Sequence, residues 1–515
     1  MIRFRTLILI LLLCISASAE DFVMNYRAGI EANYGSSQMA PYYISALRNG
    51  TLNSEKGSTL NIAAYKPLDK TKRFSYSFGV EGYAQISNDV TYMRFNHKDN
   101  AWYERDISSP RIWLHQLWGE IKYRCLYLWV GMRDFTPALV NRRLSSGDLI
   151  ESGNSRNIPG LRAGFHDFQN IPFTNGWVQI QGEIGFAKSL DNNWQKEHYN
   201  YYNEHINLGW WYNYKRCFFR TKPSMEFSVT VGMQAAAQFA GKTVWYRNGE
   251  PYRTYDMELK PIDFLDMIIL RQGDAYWKGN HVGSWDFQAR YKFSNNDELK
   301  AYFQWLWEDG SGIGKLNGMD GLWGIEWAPA KKGVISGAVI EFMTYMNQSG
   351  PVHFAPNDRP NTDMTEHHAD GRDNYYNNHW YNGYALYGMS IGSPMFISPI
   401  YNTNGATTTF TQNRFWGVHG ALEGEIINSL SYRAMVSYRQ FYGTLHVPSL
   451  KITHDVSAFA EVKWAIQNVP GLTLKGQLSF DLGDSLYGNN FGGLISLCYS
   501  GMFNFNKGKF IPCVI

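Results

Sequence analysis

The chain has 515 residues, with 48 Lys+Arg against 45 Asp+Glu for a formal net charge of +3, and so lacks the basic excess of a nucleic-acid binder. Mean hydropathy is −0.36, and beyond Ile15 no apolar stretch approaches the ~20 residues of a membrane helix, which excludes a helical membrane protein. Aromatic residues make up 16% of the chain, an excess expected where rings line two membrane interfaces.

At the N-terminus Arg3 and Arg5 precede an apolar run from Leu7 to Ile15 and the triplet Ala17-Ser18-Ala19. This reads as a secretory signal peptide over 1–19, because its apolar core is too short to span a bilayer. Cys14 belongs to the discarded part. Cleavage after Ala19 leaves 46 basic against 45 acidic residues. Four cysteines remain, Cys125, Cys217, Cys498 and Cys513, and their spacing matches no zinc or redox motif. In an exported chain either disulfides or free thiols fit them.

Residues 20–70 are expected to form an N-terminal periplasmic or plug segment. Within it 31–50, which contains Ala40-Pro41-Tyr42-Tyr43-Ile44, reads as a short helix and turn ahead of the first strand, in the periplasm or in the barrel mouth. From 71 to 505 the chain alternates with a period of two, the mark of strands whose neighbouring side chains face opposite ways. Phe74, Tyr76, Phe78 and Val80 alternate with Ser75, Ser77 and Gly79; Val178, Ile180, Ile184 and Phe186 alternate with Gln179, Gln181 and Glu183; Met225, Phe227, Val229, Val231 and Met233 repeat the pattern. The stretch 114–132 predicts two strands around a tight turn at Tyr123-Arg124-Cys125, and Lys215-Arg216-Cys217 is read as another turn. Further strands are expected at 298–307, 321–327, 334–345, 415–425, 431–442, 456–464, 472–482 and 493–505.

At roughly 25–30 residues per strand with its share of loop, the mature chain makes about 16–20 strands. The fold class is all-β, a transmembrane antiparallel β-barrel at 71–505 with a C-terminal tail at 506–515. Closure follows from the solvent: an open strand edge in lipid leaves backbone groups unpaired at several kcal/mol each. Periodicity does not show which solvent a strand faces, so a soluble β-sandwich is the competing fold, while no fixed-period repeat supports a solenoid.

The stretch 351–382 is polar and rich in Pro, Asp, Asn and His, and reads as a large loop. Its end supplies the mixture that recognises sugars, aromatic faces for the apolar side of a pyranose ring and amides or carboxylates for hydroxyls. The candidate polysaccharide-binding residues are Asp373, Tyr375, Tyr376, Asn377, Asn378, Trp380 and Tyr381. A plainer account is that the tyrosines pack the loop or join the interfacial belt and the asparagines make turns. Glu366-His367-His368 with Asp370 and Asp373 has metal-type ligands at no established spacing, and a solvated loop explains it equally well. Glu308-Asp309-Gly310-Ser311-Gly312-Ile313-Gly314 lacks the lysine of a phosphate loop and reads as a turn. H-E-x-x-H is absent, so that motif supports no enzyme, and no cofactor is expected.

Several stretches, in order along the chain, resemble the Wzi-type capsule-assembly family: Ala40-Pro41-Tyr42-Tyr43, Leu144-Ser145-Ser146-Gly147, Ser152-Gly153-Asn154-Ser155-Arg156, Gly279 to Asp286, Asp320-Gly321-Leu322-Trp323-Gly324, Asp373-Asn374-Tyr375-Tyr376-Asn377-Asn378, and Tyr387-Gly388 with Ile391-Gly392-Ser393-Pro394. The resemblance implies an outer-membrane barrel of 18 strands, partly occluded, with a helical element on the periplasmic side, that acts without catalysis as a lectin for exported capsule. The expected partners are surface polysaccharide and outer-membrane lipid, with the chain a monomer. A substrate-selective porin, with Gln179, Gln181 and Glu183 lining an open channel, is the alternative function, and a barrel lipase a third.

Overall fold

The computed structural model describes residues 22–200, 203–270, 279–308, 317–348, 353–354, 369–370 and 373–512. The signal peptide, Cys513, Glu366-His367-His368 and residues 309–316 of the glycine-rich turn lie outside them. Eighteen strands form a closed antiparallel barrel. The first nine are β1 (Val23–Gly35), β2 (Gly57–Lys66), β3 (Phe74–Ser87), β4 (Ile112–Tyr123), β5 (Leu126–Met132), β6 (Gly160–Phe165), β7 (Val178–Lys188), β8 (Trp211–Thr221) and β9 (Phe227–Phe239). The rest are β10 (Asn280–Lys292), β11 (Glu298–Trp307), β12 (Gly321–Ala328), β13 (Gly337–Thr344), β14 (Phe415–Ile427), β15 (Leu430–Gly443), β16 (Pro448–Ala465), β17 (Leu472–Gly483) and β18 (Asn490–Asn504). Each strand pairs with its sequence neighbour, and β18 closes on β1 from Asn504 opposite Val23 to Gly492 opposite Gly35.

Alternation turns directly into two faces. In β17 Leu478, Phe480 and Leu482 are exposed on the outer wall, while Gln477, Ser479 and Asp481 between them are buried inside. Ile30, Ile62, Val130, Ile340 and Ile495 are likewise exposed, as a wall in contact with lipid requires. A bulge between Glu81 and Gly82 of β3 sets Gln116 opposite Glu81 and Leu114 opposite Gly82. His115 is the extra residue, and its side chain is buried.

One end of the barrel carries both termini and short connections, such as the two-residue turn Arg124-Cys125, where Arg124 takes φ 53°. All the long connections leave the other end. Three of them, 36–56, 133–159 and 373–414, fold back into the barrel and pack against its inner wall. One apolar cluster joins Tyr42 and Ile44 of the first, Leu149 and Ile150 of the second, and Tyr375, Tyr376, Tyr384 and Phe396 of the third to wall residues that include Tyr214 of β8, Tyr302 of β11, Phe415 of β14 and Leu494 of β18. The lumen is a packed core, formed because three loops each bring apolar side chains that gain by leaving water.

Several expectations need correcting. The segment 20–70 is in part barrel: β1 and β2 are wall strands, and 36–56 between them enters the lumen. Its helix, α1 (Tyr42–Ser45), is buried on the inner wall at the long-loop end, away from the termini, which is the barrel-mouth placement of the two expected. Within the tail, Lys509–Pro512 forms a short strand that pairs with Gly501–Asn504 of β18. Cys217 lies in mid-strand in β8, exposed on the wall, rather than in a turn, and Cys125, Cys217 and Cys498 are free thiols.

The first loop also fastens the seam between β1 and β18. The Ser36 amide donates to the Phe491 carbonyl (2.9 Å), Asn490 Nδ2 donates to the Met39 carbonyl (2.8 Å), and the Tyr42 amide donates to Asp481 of β17 (2.8 Å).

Candidate functional site at the long-loop end

The structure divides the seven sequence candidates. Tyr375, Tyr376 and Tyr381 are buried, so the plainer account, tyrosines that pack the loop, describes them. Tyr376 Oη donates to the Leu149 carbonyl (2.5 Å), tying the third loop to the second, and the Tyr376 amide donates to Glu308 (2.5 Å). A Cβ at Gly392 would overlap both Tyr376 Oη and the Leu149 carbonyl, so the chain passes there only as glycine. Tyr375 Oη accepts from Asn317 Nδ2 (2.5 Å) and its carbonyl from Asn413 Nδ2 (2.6 Å). Asp373 is buried beside this packing. Asn377, Asn378 and Trp380 are partly exposed.

Asn377 and Asn378 line an open cleft of about 650 Å³ at the barrel mouth, with Tyr381 and Asn382 buried in its floor. Its other walls come from Glu204 and His205, from the polar run containing Asn404, Thr407, Thr409 and Thr411, and from Thr444 and His446. Asn377 Nδ2 donates to the Phe410 carbonyl (2.7 Å) and Asn377 Oδ1 accepts from the Phe410 amide (2.9 Å), locking the run beside the predicted segment. Asn382 Oδ1 accepts from the Asn207 amide (2.6 Å), fixing the floor to the sheet that carries Glu204 and His205. These walls escaped the sequence reading, although the Asn and Thr crowded into 402–411 are a compositional signal of their own.

Trp380 faces a second cleft of about 350 Å³, shared with Tyr255, Asp256, Glu258, Lys260 and Asp263. Between the clefts stands an aromatic ridge on a three-stranded sheet of 205–208, 241–247 and 250–257. Trp245 and Tyr255 meet the Trp380 ring at 5.9 and 6.0 Å, nearly at right angles, and His205 lies 4.5 Å from Trp245 and 5.7 Å from His379. Burial, with His379 alongside, pushes the His205 imidazole down to about 4, so it is neutral at physiological pH. Amides, hydroxyls, the neutral His205 imidazole and indole faces around an open cleft suit a polyhydroxylated ligand, and 650 Å³ lies in the range of roughly 300–1,000 Å³ typical of small-ligand sites.

Below the mouth the loops are held by ionic and amide groups. Gln234 and Gln304 each donate through Nε2 to Asp148 of the second loop and to Asp286 of β10 (2.8–3.4 Å), and burial pushes the Asp148 carboxyl up. Ser145 Oγ and the Ser146 amide donate to Glu341 of β13, each at 2.7 Å. Arg162 of β6 grips Glu151 of the same loop (2.6 Å). Glu81, His115 and Asp134 cluster closely enough to hold a metal ion, but protein groups already engage them: Arg27 and Gln116 donate to Glu81, and His115 and Asn157 bond to Asp134.

Fold and mouth together define a class, a plugged barrel of the outer-membrane kind with an open polar cleft over the plug. No family model and no curated protein matches the sequence. Among solved structures the chain is similar to Wzi, an outer-membrane protein involved in group 1 capsule assembly in Escherichia coli and described as a carbohydrate-binding β-barrel, with TM-score 0.51, 12% identity, and coverage of 92% of this chain and 83% of that one. It also aligns with OccAB4 of Acinetobacter baumannii (TM-score 0.44, 10% identity, 94% and 99% covered) and OccK7 of Pseudomonas aeruginosa (0.42, 8%, 94% and 100%). At such identity the likeness to Wzi establishes the fold, an outer-membrane β-barrel.

Proposed function

We propose that this protein is a lectin-like outer-membrane barrel, without catalytic activity, that holds exported polysaccharide on the cell surface. The observation that carries this reading is the Asn- and Thr-lined cleft with its aromatic ridge, set above a lumen packed by three loops. In outer-membrane barrels long loops face outward and short turns face the periplasm, which orients the cleft toward exported glycan. Contacts of this kind are weak singly, and a polymer engaged at many copies of the protein multiplies them. The description of Wzi as a carbohydrate-binding barrel supports the same reading. A substrate-selective porin has in its favour the charged inner wall toward the turn end, where Arg220, Arg290 and Lys300 project, but it requires the packed loops to move aside.

The test is the split of surface polysaccharide between cells and medium before and after deletion of the gene. We expect glycan to move to the medium at constant total. An unchanged split removes the attachment role.

A further inference from the structure

Resting on the lectin reading, we infer that the mouth selects uncharged sugar units and turns away polyanionic glycans. Among the described residues lining the larger cleft, the only side chain of fixed charge is the exposed Glu204, and no lysine or arginine is present. Across the ridge, the smaller cleft sets Asp256, Glu258 and Asp263 against Lys260 alone. A polymer laid over Trp380 therefore meets a surface with an excess of carboxylates on both sides. His205, held neutral by burial, adds no positive charge.

The guanidinium groups of the described residues stand outside both clefts. A sugar carboxylate is recognised best by the two-pronged fork of an arginine. Here Arg143, Arg162, Arg216, Arg433 and Arg439 all face glutamate or aspartate inside the barrel. Among the described residues, the exposed Arg247 and Arg253 stack on Tyr252 and Tyr255 of their own hairpin and line neither cleft. The cleft walls carry instead groups that pair with hydroxyls: amides offer both donor and acceptor, threonines one hydroxyl each, and Glu204 two acceptor oxygens. An anionic sugar bound there would lose its hydration and face like charge, whereas a neutral sugar exchanges water for amide and hydroxyl partners.

The experiment uses the full-length protein in detergent at pH 7.5 and low salt, with glycans matched except for charge: polygalacturonate and hyaluronan, each beside its carboxyl-reduced form, with dextran and galactomannan as further neutral polymers. We expect at least one neutral polymer to bind at least tenfold more tightly than any polyanion, with little dependence on salt. We expect Glu204→Lys to narrow that gap by strengthening polyanion binding. Polyanions that bind wild-type protein as tightly as the neutral polymers, and lose affinity as salt rises, overturn the charge selection and leave the lectin reading standing. If none of the polymers binds, the lectin reading falls and this inference falls with it.

Discussion

Tyr376 and Trp380 lie four residues apart on one loop, yet they answer to different forces. Tyr376 Oη bridges to the Leu149 carbonyl inside the plug, so Tyr376→Phe leaves that carbonyl unpaired and should cost about 1–3 kcal/mol, lowering the unfolding temperature without changing glycan affinity. Trp380→Ala should do the reverse, weakening polysaccharide binding roughly tenfold, about 1.4 kcal/mol, at nearly constant unfolding temperature. Calorimetric melting and glycan titration of the two variants separate the roles; a Tyr376→Phe protein that melts normally but binds poorly would reverse the assignment. Arg439 and Asp455, both with fully buried side chains and paired at 2.9 Å, set a third expectation. Arg439→Ala should cost about 3–5 kcal/mol, because it strands the Asp455 carboxylate. At this scale the sequence showed which aromatic and amide side chains 373–381 carries but not the direction in which each points. Residue type does not reveal whether a tyrosine points to solvent or to a neighbouring loop, and Leu149, which settles the matter for Tyr376, is 227 positions away in sequence.

Among the elements, Asp320 caps the entry to β12 and accepts from the Met346 and Asn347 amides just past β13 (3.0–3.2 Å), joining two loops at the mouth. Burial pushes its carboxyl up to about 7 from an ordinary 3.8. An acid whose folded pKa is raised favours folding fully below the unfolded value, and that contribution is lost as pH climbs to the folded one. The junction should therefore weaken between pH 4 and 7 by on the order of 4 kcal/mol at most, and stay level above that. Limited proteolysis of the mouth loops across this range should show increasing cleavage, and Asp320→Asn should flatten the profile. Most strands were legible from alternation, β11 to the residue and β14 to β18 within a few positions, except that β16 begins eight residues earlier than expected. β1 was not, because Ala28 and Ala32 dilute its lipid face and leave Ile30 and Tyr34 to carry it. β5 was legible as the second arm of the hairpin expected at 114–132, whereas β6, with 6 residues, is too short to announce itself.

For the whole molecule, the packed lumen sets the electrical behaviour. Purified protein in planar bilayers should pass little current, and replacing Tyr376 and Phe396 together by alanine should raise it by opening the centre of the plug. A large steady conductance in the unaltered protein would favour the porin reading. The sequence disclosed a closed barrel because lipid imposes closure on any spanning sheet. It offered a plug only as one reading of 20–70 and did not disclose the parts played by 133–159 and 373–414, whose contacts join positions more than a hundred residues apart and leave no periodic trace.

The way 36–56 straps β1 to β17 and β18 bears on how the wall comes together. A barrel has two raw edges until its first and last strands meet, and raw edges recruit strands from other chains. Here the first loop carries its own fasteners to the far side of that join, through Ser36, Met39 and Tyr42. The chain thus brings its own clasp, and a molecule shortened by that loop would reach the membrane with nothing to hold its two ends together while they zip, which turns a solitary barrel into a partner-seeking sheet.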